Sequence, residues 1–242
     1  MSQFPQFPGS KYLRWYGRMV YGAAKMTAGP VLRRLYNVRL EGVEAIPPNG
    51  AAIIAPNHLS LLDPFFITLV VPRFITFIGK AEYFDAWQTR MLMEMAGVIP
   101  VRREDPSQSS LEAGKSVLEA GNLLGIFPEG TRSPDGRLYK GKTGAARMAA
   151  EVGCPVLPTG LIGTAQVMPK EAKLPGLGPR VTVKFGKPMS VPPEGREDGR
   201  VLREFTDDLM GEIAGLSGQE YRHRYAYTKR VGQLPNVSNL FA

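Results

Sequence analysis

His58 and Asp63, five positions apart in Ala-Pro-Asn-His-Leu-Ser-Leu-Leu-Asp-Pro-Phe-Phe, are the first residues of this chain whose types and spacing could do chemistry. A carboxylate bonded to one imidazole nitrogen fixes the tautomer and leaves the other nitrogen to take a proton from a hydroxyl, so the pair would be a general base with its orienter. On a continuous helix, residues five apart diverge by about 140°, so a helix cannot pair them. A turn can. Pro64 suits the first position of a helix and Asp63 its N-cap, which puts His58 in the loop leading into that helix. The spacing is equally met by a capping aspartate beside a buried, satisfied histidine.

A second stretch adds groups suited to an anion. In Leu-Leu-Gly-Ile-Phe-Pro-Glu-Gly-Thr-Arg-Ser-Pro-Asp-Gly, residues 123–136, an apolar run meets Pro128, and Glu129, Gly130, Thr131 and Arg132 crowd the loop beyond it. Glycine permits close backbone approach, threonine offers a hydroxyl, and arginine offers a planar fork that matches phosphate. Two more apolar runs end in cations, at Lys80 and at Arg102 and Arg103. Beside a His-Asp base, such strand-end cations describe a site for an anionic substrate that carries a hydroxyl.

These residues need elements to hold them. Strands are expected at Ala51–Ala55, Phe74–Gly79, Val98–Arg102, Leu123–Phe127, Val156–Ile162 and Val181–Phe185. Helices are expected around Pro64–Val70, Gln88–Met95, Leu111–Ala120, Thr143–Glu151 and Val201–Ala214. This alternation predicts an α/β domain over residues 38–216, with a mixed, largely parallel sheet flanked by helices. In such folds sites gather beyond the carboxyl ends of the strands, where all the motifs above fall.

The amino-terminal segment, residues 1–37, has a different character. Lys11, Arg14, Arg18, Lys25, Arg33, Arg34 and Arg39 all precede Glu41, the first acidic residue. Tyr12, Trp15, Tyr16, Met19, Val20 and Ala23 recur at helical spacing, with Ser10 as N-cap and Gly29-Pro30 as a break before a second short helix, Val31–Tyr36. An apolar face opposite a basic one predicts a helix docked on an anionic membrane surface. The tail, residues 217–242, mixes basic and aromatic residues without a clear period.

At 242 residues, with a net charge of +8, the chain is long enough for a sizeable core and calls for an anionic partner. The single cysteine, Cys154, excludes an internal disulfide and a multi-thiolate metal site. It reads as a small apolar residue opening a strand. No apolar run approaches the ~20 residues of a spanning helix, and the start of the chain lacks the pattern of a secretory signal. A cytoplasmic protein, peripheral on the membrane, is expected.

Asn57-His58-Leu59-Ser60-Leu61-Leu62-Asp63 and Phe127-Pro128-Glu129-Gly130-Thr131-Arg132-Ser133 closely resemble the first and third signature blocks of the glycerolipid acyltransferases, particularly the bacterial 1-acyl-sn-glycerol-3-phosphate acyltransferases. Lys80 with Glu82, Gly97 to Arg103, and Val156-Leu157-Pro158-Thr159 agree in order and separation, and the resemblance covers roughly residues 38–190. The second block departs from the family, which has an aromatic residue and an acid where this chain has Pro100 and Arg102; Arg103 matches the family arginine.

The resemblance implies acyl transfer from a coenzyme A or acyl-carrier-protein thioester to the free sn-2 hydroxyl of lysophosphatidic acid, giving phosphatidic acid on the cytoplasmic face of the membrane. His58 would deprotonate the hydroxyl and Asp63 would orient it. Lys80, Arg103, Thr131 and Arg132 would meet the anionic acceptor, with Glu129 and Gly130 shaping its pocket. No cofactor, metal or acyl-enzyme is required, and neither Cys154 nor any Gly-x-Ser-x-Gly elbow offers an activated nucleophile.

One competing motif is formally complete: Gly136 to Thr143, Gly-Arg-Leu-Tyr-Lys-Gly-Lys-Thr, fits the phosphate-binding loop of NTPases. That loop should leave a strand at its first glycine, yet Gly136 sits in a Ser-Pro-Asp-Gly turn and bulky Leu138 and Tyr139 fill the interior. Lys140 and Lys142 would instead touch the anionic donor. A basic membrane-binding module, a thioesterase, and an acyltransferase acting on glycerol-3-phosphate are the other readings; the chain has no nucleic-acid motif, and no nucleic-acid partner is expected.

Overall fold

A computed structural model describes residues 22–226, apart from residues 24, 28, 86, 102–105, 170, 171 and 173. The expected amphipathic helix from Tyr12 and its Ser10 cap, the cations Arg102 and Arg103, and the tail beyond residue 226 lie outside the described residues.

The organising element is β2, Ala52–Pro56, in which every residue is buried. A strand covered on both faces must be apolar throughout, and alternate side chains must enter different cores. Ala52 and Ile54 join one core with Phe66 and Ile67, while Ile53 and Ala55 join the other with Leu118, Ala146 and Leu209. The sheet is thus a middle layer between two apolar ones.

With β1 (Arg39–Glu41), β3 (Ile75–Lys80), β4 (Val98–Val101), β5 (Leu123–Gly125), β7 (Val156–Ile162) and β8 (Thr182–Phe185), β2 builds a seven-stranded sheet of order β1-β8-β7-β2-β5-β3-β4. Neighbours run parallel except β7 and β8, which are antiparallel. The mixed, largely parallel sheet expected from the alternation of runs is therefore present. The helices are α1 (helical at residues 22, 23, 25–27 and 29–35), α2 (Asp63–Val70), α3 (Trp87–Met95), α4 (Pro106–Glu119), α5 (Gly144–Val152), α6 (Thr164–Val167) and α7 (Gly199–Ser217).

The chain leaves β2 through α2 towards β3, and leaves β5 through α5 towards β7. Since β5 and β7 flank β2 on opposite sides, the two connections depart in opposite directions from adjacent strand ends. This is a topological switch point, where a crevice opens beyond the carboxyl ends of the strands.

Two expectations are corrected, and the tail, whose role was open, gains an element. Gly29 and Pro30 lie within helical backbone rather than breaking it, because Leu32 packs on the core and Tyr36 is buried edge-on against Phe66, contacts that outweigh local propensity. Helix α4 starts at Pro106 rather than Leu111, since a proline in a first turn needs no N–H partner. Residues Tyr221–Arg222 of the tail form β9, paired in parallel with β6, Leu138–Tyr139.

Candidate active site

Asn57 follows β2 directly and is fully buried. Its Oδ1 accepts from the N–H of Leu161 at 2.7 Å, and its Nδ2 donates to the Leu161 carbonyl at 2.9 Å and to Gln219 Oε1 at 2.7 Å. The amide thereby continues the β2–β7 pairing one step beyond the last paired backbone, and the next residue, His58, is thrown clear of the sheet.

The loop then curls as the spacing requires. His58 Nδ1–H donates to Asp63 Oδ2 at 2.8 Å, and the same oxygen accepts from the N–H groups of Leu59 at 2.6 Å and Ser60 at 2.8 Å. An oxygen already receiving two backbone N–H groups acts as an acceptor, so the ring nitrogen that faces it is the donor, Nδ1–H, and Nε2 is turned away from the carboxyl group. Asp63 is completely buried, whereas the His58 side chain keeps 17% of its exposure. Asp63 is not the N-cap: that position falls on Leu62 without a side-chain bond, and Asp63 opens the helix with its carboxylate turned back to the preceding loop. Ser60, also buried, secures this loop by donating to the Met168 carbonyl at 3.0 Å.

The loop after β5 closes on the same histidine. Phe127 stacks on the His58 ring, with centroids 3.8 Å apart and planes inclined by 19°. Glu129 is buried, and its two oxygens accept from the backbone N–H groups of His58 (3.0 Å) and Tyr139 (3.1 Å). The N–H of Ser133 donates to the His58 carbonyl at 2.8 Å. Burial pushes the Glu129 carboxyl up to about 7, against the pull of the His58 and Tyr139 donors, and the nearby charge of Asp63 adds to the rise. Glu129 is therefore a brace between the two loops.

Gly130 has a φ of +70°, the left-handed region that favours glycine. Thr131 and Arg132 follow it, half-buried, and their side chains hold no hydrogen bond or ion pair among the described residues. Lys80 is the last residue of β3, at the same edge of the sheet, and its side chain lies outside the described residues. Structure thus unites His58, Asp63, Glu129, Gly130, Thr131 and Arg132. Spacing pointed to His58 and Asp63; Phe127 was marked only as part of a signature block, and Tyr139 and Gln219 carried no signal, because each contributes through elements that only the fold makes adjacent.

The pattern at Gly136–Thr143 is no nucleotide cradle. Leu138 and Tyr139 are buried in β6 against β9, which fills the loop with side chains. Cys154 is buried, its thiol pushed up to about 11 by that burial, so it is no nucleophile.

The geometry is that of a histidine ring held by a buried aspartate and a stacked phenylalanine at a strand-end crevice. A family model described as Acyltransferase matches residues 37–162, which contain His58, Asp63, Phe127 and the loop from Glu129 to Arg132. The chain belongs to the acyltransferase family. It is 36% identical over 148 residues to a chloroplastic 1-acyl-sn-glycerol-3-phosphate acyltransferase of Arabidopsis thaliana, and 36% identical over 149 residues to one of Brassica napus. Each match takes in 60% of this chain but 42% and 43% of the plant proteins, so the chain spans less than half of their length. The crystal structure of the 1-acyl-sn-glycerophosphate (LPA) acyltransferase PlsC from Thermotoga maritima is similar throughout, with 25% identity, a TM-score of 0.61, and 85% of this chain and 88% of that one covered.

Proposed function

We propose that this protein transfers a fatty acyl group from an acyl-CoA or acyl-carrier-protein thioester to the sn-2 hydroxyl of lysophosphatidic acid, forming phosphatidic acid. The observation that carries the reading is the His58–Asp63 pair, with Nδ1 committed to a buried carboxylate and Nε2 left as a base. The names of the similar proteins supply the acceptor.

In this mechanism the acceptor hydroxyl gives its proton to His58 Nε2 as its oxygen attacks the thioester carbonyl. The Asp63 carboxylate stabilises the imidazolium that forms and keeps the ring in place. The tetrahedral intermediate then collapses, the C–S bond breaks, and the thiolate leaves with the proton held by His58. Arg132, Arg103 and Lys80 bind the acceptor phosphate, and Thr131 adds a hydroxyl to the same pocket.

The substrates are amphiphiles, and the reading includes peripheral docking on an anionic membrane at its cytoplasmic face. Three things support it. The first forty residues have no acid to balance their cations, and Lys25, Arg33 and Arg34 line a cavity of about 940 Å³ beside α1. Met26 is 80% exposed, Leu174 73% and Leu177 76%, apolar surface of the kind that enters a bilayer interface. Among the described residues no helix is long and apolar enough to cross a membrane. Purified protein given lysophosphatidic acid and palmitoyl-CoA in vesicles should make phosphatidic acid. Thioester consumption that is equal without acceptor would identify a hydrolase instead.

A further inference from the structure

The two lysines of the Gly136–Thr143 stretch, expected together to touch an anionic donor, are treated differently by the structure. The Lys140 ammonium lies 5.8 Å from the centre of the Tyr225 ring, and its backbone N–H donates to the Arg224 carbonyl at 2.9 Å. Lys140 is thus turned towards the residues that follow β9. Lys142 is turned to the catalytic loop.

Its backbone N–H donates to the Pro128 carbonyl at 2.8 Å, which anchors it beside Glu129. Its side chain then crosses Gly130 so closely that a Cβ built on that glycine would stand 3.0 Å from both Cε and Nζ and 3.2 Å from Cδ. A Cβ at 130 would push the lysine aside by a few tenths of an ångström, in addition to the strain that the positive φ imposes on any residue but glycine.

The ammonium delivered there has no counterion. Both oxygens of Glu129 are taken by backbone N–H groups, and Asp135 is engaged by Arg137 and by the Tyr139 hydroxyl. Lys142 is exposed and its Nζ makes no hydrogen bond or ion pair among the described residues, the same condition as Arg132 two residues beyond Gly130. Lys142 comes from the β6–α5 connection and crosses Gly130 of the loop that carries Arg132, so two cations without counterions belong to one turn, with α5 beginning at Gly144, and form a place for an oxyanion.

We propose that the Lys142 ammonium binds a phosphate group of a substrate at the Gly130 turn and acts as a specificity residue of the acyl transfer. The inference rests on the acyltransferase reading. Two sources share this chemistry, the phosphomonoester of the acceptor and the phosphates of the thioester donor.

The test compares wild type with Lys142→Ala, Lys142→Met and Lys142→Arg in vesicles, using two substrate pairs. Lysophosphatidic acid is set against monoacylglycerol, which lacks the phosphate, and palmitoyl-CoA against palmitoyl-pantetheine. Loss of a charge-assisted bond predicts that Lys142→Ala and Lys142→Met reduce the preference for the phosphorylated member of one pair by about tenfold or more, with Lys142→Arg restoring most of it. The pair affected names the source. Removal of a merely structural contact would lower both members alike, so unchanged preferences in both pairs overturn the inference. If wild type transfers no acyl group at all, the acyltransferase reading fails instead. Titration of wild type and Lys142→Ala with lysophosphatidic acid and with coenzyme A then decides the lysine alone: equal affinities for both ligands overturn it.

Discussion

Phe127 lies flat against the His58 imidazole, 3.8 Å between centroids, so the ring proposed as the base is held by a residue from β5's loop and not only by its own loop. The stack fixes the ring plane while Asp63 fixes its rotation. A phenyl face also favours the imidazolium formed during proton transfer. Phe127→Ala should therefore lower kcat by about tenfold while acceptor KM moves little, with Phe127→Tyr close to wild type. Steady-state kinetics separate the two parameters; a KM effect alone would mean that Phe127 contacts acceptor rather than base.

Asp63 gathers its three donors on Oδ2, and its buried Oδ1 has no hydrogen-bond partner among the described residues. An asparagine can reproduce this with its one oxygen, its amide nitrogen replacing the unpartnered atom. Asp63→Asn is therefore expected to fold, with a melting temperature within a few degrees of wild type, yet to lose about 10²-fold in kcat because the imidazolium lacks a counter-charge. Retained activity would reduce Asp63 to a structural role.

Asn57 is an accounting matter of buried hydrogen bonds. Its removal strands the N–H and carbonyl of Leu161 and the Gln219 amide. Leaving buried backbone groups unpaired costs about 1–3 kcal/mol each. Asn57→Ala should destabilise by about 3 kcal/mol in chemical denaturation, against well under 1 kcal/mol for an exposed control such as Glu204→Ala.

The parts of the fold legible in the sequence were those whose own composition states their environment. β2 and β7 are apolar runs ended by Asn57 and Gly163, and both are where the runs predict them. β1, β6 and β9 are two or three residues long and exist through their partners, so no local pattern announces them. The His58–Asp63 pairing was legible because a five-residue spacing forces a turn. The Phe127 stack was not, since it requires β2 and β5 to be neighbours, and the Asn57–Gln219 bond spans 162 positions. The cap assigned to Asp63 misled because a carboxylate at a helix start can serve the loop before it as well as the turn after it.

Glu129 gives a pH dependence with a definite sign. Its carboxyl stands at about 7 in the fold against an ordinary 4.5, so the folded state keeps the proton through that window. The stability this contributes is complete below about 4.5 and is lost as pH rises through about 7, up to about 3 kcal/mol in all. Measured against Glu129→Gln, wild type should lose relative stability between pH 5 and pH 8. A difference that is flat across that range would show the carboxylate to be charged in the fold throughout.

Membrane docking predicts a particular ionic behaviour. Binding to vesicles should rise with anionic lipid and fall with salt, and Met26→Ser with Leu174→Ser and Leu177→Ser should weaken it several-fold at fixed charge. Co-sedimentation checks both; indifference to lipid charge would refute docking by the basic segment.

The most direct test of the account is acyl transfer by wild type and His58→Ala, assayed side by side in vesicles with palmitoyl-CoA, with and without lysophosphatidic acid. The account predicts phosphatidic acid from wild type, only with acceptor present, and a fall of about 10³-fold on removing the imidazole. A His58→Ala enzyme that transfers acyl groups at the wild-type rate would contradict it.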